Sequence, residues 1–297
     1  MEDCTLAHFI CTACGTQFAE RPEAPELPPT QCPICTDERQ FVPAGGQQWT
    51  TLAALASTHR NAFQRLEPGL YGVGTVPAFA IDQRALLVEA GGSAAPGRRY
   101  VLWDCIALVD DATRDLVGAL GGLAAVAVSH PHYYTTVVEW ARAFDCPVYL
   151  HAADRAWAMR PDAAIRFWDG DTHTLADVGA PGLTLVRCGG HFAGATVLHW
   201  AAGAGGRGAL LTGDVLQVAM DRRHVSVMRS YPNYLPLGEA AVRRVGASVA
   251  PFAFERLYGA WWDRHIDDDA RAAVARSVER IAAHLRGHPG PDTRDGA

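Results

Sequence analysis

The run Leu123-Ala124-Ala125-Val126-Ala127-Val128 ends in Ser129-His130-Pro131-His132-Tyr133-Tyr134-Thr135, and this junction constrains the chain more than any other. Six apolar residues without a polar interruption fit a strand covered on both faces. The strand must then deliver two histidines at its end. In extended backbone, residues two apart share a face, so His130 and His132 are expected to emerge side by side. Two neutral imidazoles aimed into one pocket suit a divalent metal of the zinc or iron kind. The bland alternative is a loop carrying two solvated histidines.

The same arrangement recurs along the chain. Gly189-Gly190-His191 follows an apolar strand at 183–186, Leu211-Thr212-Gly213-Asp214 ends a strand at 209–212, and Asp104 ends one at 100–104. Histidines and carboxylates at successive strand ends predict one shared site along one edge of the sheets. Around them the pattern predicts helices at 50–64, 111–120, 136–144, 152–159, 238–249 and 267–285. Further strands are expected at 148–150, 165–168, 196–200 and 256–258, with a hairpin over 79–88. Strand meanders mixed with α/β crossovers give an α+β architecture of stacked sheets covered by helices.

The N-terminal stretch carries a different signature. Cys11-Thr12-Ala13-Cys14 and Cys32-Pro33-Ile34-Cys35 are two C-x-x-C turns separated by seventeen residues. Four thiolates so spaced close a tetrahedral metal site. Some forty residues build little core, so metal binding is expected to supply most of this module's folding free energy. It resembles a zinc ribbon, and its Cys-Pro-x-Cys turn is similar to rubredoxin-like modules that hold iron; zinc is the expected occupant. Cys4 lies outside the spacing. The expected organisation is a Cys4 module over 1–45, a main domain over 46–286, and a flexible tail over 287–297.

From about residue 70 to 285 the chain resembles the metallo-β-lactamase fold superfamily, whose αββα sandwich carries ligands in H-x-H-x-D-H, G-G-H, T-G-D and a final G-H. His130 and His132, Gly189-Gly190-His191 and Thr212-Gly213-Asp214 match these motifs. Tyr134 and Thr135 stand where the first motif has Asp and His, and Tyr258-Gly259-Ala260-Trp261-Trp262 stands where the last has its histidine. The missing positions are those that build the family's second metal site. The resemblance therefore implies one metal, held by His130, His132 and His191 with Asp214 as fourth ligand. The N-terminal ribbon adds a likeness to a hydrolase subgroup of the superfamily.

A three-histidine zinc with an open position lowers the pKa of bound water to about 7 and supplies a nucleophile. Hydrolysis of an ester, thioester or lactone-like bond is the implied activity, with Asp214 and Tyr134 as catalytic candidates. Two histidines and a carboxylate also satisfy the ligand pattern of mononuclear Fe2+ oxygenases, so an oxidoreductase is the alternative. A non-catalytic, metal-stabilised binding module is the third. Asp104 is expected to orient a ligand histidine, His224 to border the site, and Trp261 and Trp262 to fill the vacated second-metal space. His151 and His199 read as structural, and Cys105, Cys146 and Cys188 as small hydrophobes. A net charge of −6 gives no reason to expect nucleic-acid or membrane-surface binding. Without a leader-like N-terminus or a long apolar run, a cytoplasmic protein acting on a small molecule is expected, with a homodimer left open.

Overall fold

Along Ala85–Glu89 the side chains alternate between two destinations: Leu86 and Val88 enter one buried cluster, Ala85 and Leu87 another. The same division separates Val101 and Trp103 from Tyr100 and Leu102, and Leu211 from Leu210. Strands buried on both faces read as continuous apolar runs, which is why they stand out in the sequence. The structure, a computed structural model, describes residues 8–91 and 99–287.

Two sheets result. The first runs in the order Arg60–Glu67, Leu70–Val76, Ala85–Glu89, Tyr100–Trp103, Leu123–Ala127, Val148–His151, Ile165–Trp168. Its first three pairings are antiparallel and its last three parallel. The second follows Thr172–Leu175, Ala180–Arg187, Thr196–Trp200, Ala209–Gly213, Arg256–Gly259, His265–Ile266, antiparallel except where Ala209–Gly213 meets Arg256–Gly259. Their facing sides share the central layer, with Leu86, Val101 and Trp103 opposite Leu183, Leu198 and Leu211. Helices Asp111–Leu120 and Val137–Phe144 belong to the outer layer of the first sheet, Glu239–Val249 and Ala270–Leu285 to that of the second. The architecture is the expected αββα sandwich.

Local chemistry sets the helix ends. Asp110 accepts the Thr113 N–H at 2.9 Å, and Gly121 takes the left-handed conformation that stops the helix. Val137–Phe144 buries Val137, Val138, Trp140 and Ala141 and ends at Asp145.

Several expectations need correcting. The helix read over 50–64 is only Leu52–Thr58, capped by Thr51; Arg60–Glu67 is a strand. His59 and Phe63, four residues apart, fit either period, and pairing with Leu70–Val76 decides for the sheet. Leu70–Val76 itself was hidden by Gly72 and Gly74. The segment 79–84 is a turn, not a strand, with Ala80 and Asp82 at positive φ. The helix expected at 152–159 is a 3₁₀ segment, Ala152–Trp157.

The N-terminal module has a small core of Phe18, Ile34 and the four cysteines. Its strand Ile10–Cys11 pairs with Trp49–Thr50, so the module's own pairing runs to Thr50. Cys4 and residues 288–297 of the expected tail lie outside the described residues. Among the described residues, no helix is long and apolar enough to cross a membrane.

Candidate metal centre

Each of the four candidate ligands sits just past a strand of the sandwich, and the sandwich brings them together. One ligand atom from each of His130, His132, His191 and Asp214 lies within 4.8 Å of the others. His130 follows Leu123–Ala127 after Val128 and Ser129; His132 lies in a 3₁₀ turn, Pro131–Tyr133, rather than in the extended backbone expected. The two rings meet edge to face at 5.0 Å. His191 is carried by Gly189 and Gly190, both at positive φ, and Asp214 by Gly213 at φ 55°. A side chain at 213 would meet Ser129 Oγ at 2.7 Å and Asp104 Oδ2 at 3.0 Å, so only glycine allows this approach.

His191 Nδ1 is 3.0 Å from the Met228 carbonyl, to which it donates, leaving the Nε2 lone pair free. That Nε2 lies 3.2 Å from His132 Nδ1. His130 Nδ1 contacts Ser129 Oγ at 2.8 Å, and its Nε2 faces Asp214 Oδ1 at 3.2 Å. Although close enough for an ion pair, these last two atoms are enclosed and have no hydrogen-bond partner. Burial first, then the neighbouring histidines, holds His130 well below its ordinary pKa, so an imidazolium–carboxylate ion pair does not account for the contact. Enclosed polar atoms without a hydrogen-bond partner are costly, and a cation between them would remove that cost. Tetrahedral ligands at zinc distances stand about 3.3 Å apart, so the donor set fits a single divalent ion.

The other ionisable groups obey the same burial. His132 is held well below its usual range and His191 is lowered to about 4, while Asp214 is pushed up to about 7. Asp104 is also raised to about 7 by burial; its Oδ1 accepts the Ser129 N–H at 2.8 Å. Asp104 therefore reaches His130 through the backbone of the preceding residue, Ser129. The Tyr231 hydroxyl, with one hydrogen to donate, lies 2.9 Å from the Asp214 carbonyl and 2.8 Å from Ser226 O, which share it.

Of the two tyrosines, the structure brings Tyr133 to the centre. Its ring lies 4.5 Å from that of His130, and its enclosed hydroxyl sits beside Asp214 without a partner in good hydrogen-bond geometry. Tyr134 lines a separate small cavity with Thr16, Gln17, Val137 and Leu150, beneath the N-terminal module. The 3₁₀ turn changes which of the pair faces the ligands, a phase that spacing does not reveal. Trp262 lies against Gly72 and Gly74 of the strand Leu70–Val76, while Trp261 donates to Ile81 O at 3.3 Å. Neither contact involves a ligand residue. His224 is paired with Asp221 at 2.6 Å within its own loop. His151 bonds to Gly170 O and Ala153 N, and His199 to Ala253 O.

The Cys4 group is equally well formed. Cys11 and Cys35 Sγ atoms are 3.6 Å apart, as are those of Cys14 and Cys32, and all four are buried. Tetrahedral sulfurs at 2.3 Å from zinc stand about 3.8 Å apart. Gln47 Nε2 donates to Cys11 Sγ at 3.0 Å. Crowding by the other sulfurs lowers the Cys11 thiol far below its usual value and raises Cys35, while burial raises Cys14. Four crowded thiols sharing negative charge are the metal-free form of such a site.

One residue at the centre escaped the sequence reading. Arg39, just past the second C-x-x-C turn, is 7% exposed and donates to the His191 carbonyl at 3.3 Å. Its only sequence signal is the spacing to Asp37, which fits a carboxylate clamp on its guanidinium.

No family model matches the chain. Among solved structures, DIM-1 metallo-beta-lactamase aligns with a TM-score of 0.53 at 13% identity, covering 75% of this chain and 98% of that one. A metallo-beta-lactamase from Erythrobacter litoralis gives 0.51 at 17% identity over 74% and 96%. FIM-1 from Pseudomonas aeruginosa, in a mono-zinc form, gives 0.51 at 14% identity over 75% and 96%. At these identities the likeness establishes the fold. Sequence similarity reaches further with the uncharacterized protein YmaE of Bacillus subtilis (strain 168), 44% identical over 282 residues, covering 94% of this chain and 97% of that protein. With the sandwich, the converging ligands and this extended identity in place, the chain belongs to the same family as YmaE, and its fold is that of the metallo-β-lactamases.

Proposed function

We propose that the protein is a mononuclear metal-dependent hydrolase acting on an ester, thioester or lactone-like bond. The observation that carries the reading is the convergence of His130, His132, His191 and Asp214, while the positions that would complete a second site are engaged elsewhere. Tyr134 lies under the N-terminal module, the Thr135 carbonyl accepts the Gln17 N–H at 3.0 Å, and Trp262 packs on Gly72 and Gly74. The mono-zinc form of FIM-1, similar in fold, supports a one-metal site.

A divalent cation held by these residues supplies Lewis acidity and lowers the pKa of a water to about 7. The chain's own groups prepare for it. Burial keeps the three imidazoles neutral, so their lone pairs are available at neutral pH. Asp214 contributes the compensating negative charge, with its main chain locked by Tyr231. Tyr133, kept protonated by burial, places a phenolic donor beside that carboxylate. Ser129 and Met228 fix the ring orientations of His130 and His191.

Metal analysis of wild type, His132→Ala and Cys32→Ala, with an ester, thioester and lactone panel, tests the reading. Two metals per chain should fall to one in each variant, with hydrolysis abolished in His132→Ala. Iron in anaerobically purified protein, with O2 consumed on candidate substrates, overturns it in favour of a non-haem iron oxidoreductase. Full metal occupancy without any turnover makes the centre structural. That reading is favoured by the convergence of four protein ligands, because structural sites are closed by four and catalytic ones keep an open position.

A further inference from the structure

The N-terminal module sends one side chain to the metal centre. Asp37 clamps the Arg39 guanidinium, taking its Nε at 2.6 Å and Nη2 at 2.9 Å. The remaining arm, Nη1, reaches the His191 carbonyl at 3.3 Å. The planar group lies over Phe192, 3.7 Å from the ring centroid, with Trp157 at 5.1 Å. Phe192 in turn contacts all three ligand imidazoles, at 4.9 to 5.6 Å between centroids. A clamped, stacked guanidinium fixes geometry in a way that a flexible ammonium cannot.

The backbone around Arg39 is tied to the second support of the same histidine. Ser230 Oγ donates to Arg39 O at 3.0 Å, and Asn233 Nδ2 donates to Glu38 O at 2.8 Å and Gln40 O at 2.9 Å. Arg229 pairs with Glu38 at 2.5 Å. This loop begins at Met228, whose carbonyl holds the His191 ring. Residues 37–40 thus hold the His191 main chain through Arg39 and, through Arg229, Ser230 and Asn233, tie down the segment that follows Met228. His130, by contrast, is braced within the sandwich by Ser129 and Asp104.

We propose that Arg39 is a positioning residue through which the Cys4 module holds His191, so that filling the cysteine site sets how firmly the neighbouring centre retains its metal. The proposal rests on reading the four converging side chains as a metal centre. A module whose fold depends on its own metal can present Arg39 only when loaded. Partners that orient a ligand from outside change metal affinity by about 10–100-fold.

The test uses the full chain loaded with Zn2+ and measures zinc release to a coloured chelator, with thermal unfolding in parallel. Wild type should release two zincs. Arg39→Ala should accelerate release from the histidine centre at least tenfold and leave the cysteine-bound zinc at its wild-type rate. Arg39→Lys, which keeps the charge and loses the fork, should stay within threefold of Arg39→Ala. Asp37→Asn, which leaves every cysteine in place, should give a smaller acceleration in the same direction. Equal rates in wild type and Arg39→Ala overturn the positioning role while leaving the centre intact. Acceleration of both zincs together, with a lowered melting temperature, reveals general loosening and also overturns it. A wild type that holds one zinc, lost in Cys32→Ala, overturns the metal-centre reading itself.

Discussion

Tyr133 and Tyr134 are adjacent, yet one hydroxyl faces Asp214 and the other ring lies under the N-terminal module. Tyr133→Phe should therefore leave zinc stoichiometry at two and lower turnover roughly 10²-fold, measured as kcat on whichever panel substrate is hydrolysed. Tyr134→Phe should leave kcat within about threefold of wild type. Asp154 offers a residue-scale test of a different kind. It is buried, accepts the Gly194 N–H at 2.9 Å through Oδ1, and has no partner at Oδ2. Burial raises its pKa to about 6. Between about pH 4 and 6 the folded state then holds a proton that the unfolded state has released, so this residue's contribution to stability falls as pH rises. Asp154→Asn should remove that slope: its melting temperature should gain on wild type from pH 4 to 6, with a constant gap above. The four ligands were legible because each lies a few residues past a largely apolar strand. Arg39 was not, because its role depends on where a separate module docks, and no local pattern encodes that.

At the scale of elements, the strand Leu70–Val76 shows how a side chain from one part of the chain dictates composition in another. A Cβ at Gly72 would come within 2.7 Å of the Trp262 ring, and one at Gly74 within 2.9 Å. Two glycines make the groove and one indole fills it, with the Arg84 guanidinium 5.4 Å from that ring. Arg84 in turn donates to Gly259 O at 3.2 Å, on the strand that pairs with Gly213. Trp262→Ala should cost about 2 kcal/mol, less than a fully buried tryptophan, and leave two zincs bound, as urea melts and metal analysis would show. Loss of the centre's zinc in that variant would place the indole nearer the ligands than its contacts indicate. The glycines that make this groove are also what hid the strand from a reading based on propensity. The helix expected over 50–64 failed for a related reason: alternation along Arg60–Glu67 emerges only once its partner strand is known.

Taken whole, the molecule is a sandwich whose working edge is covered by a module from the start of its own chain. Gln17 holds Thr135, Gly15 approaches Thr135 and Ala107, and Glu38 to Gln40 hold the loop at 229–233. These attachments reach Thr135, three residues past His132, and the segment that follows Met228, and His130 Nε2 and Asp214 Oδ1 are fully enclosed. An enclosed ion leaves no faster than its enclosure breathes. Zinc removal from the histidine cluster should accordingly reach a plateau rate as chelator is raised, because beyond some concentration the scavenger waits on the protein. Hydrogen exchange at residues 228–233 should report that same plateau rate, giving the tempo at which the interior meets solvent.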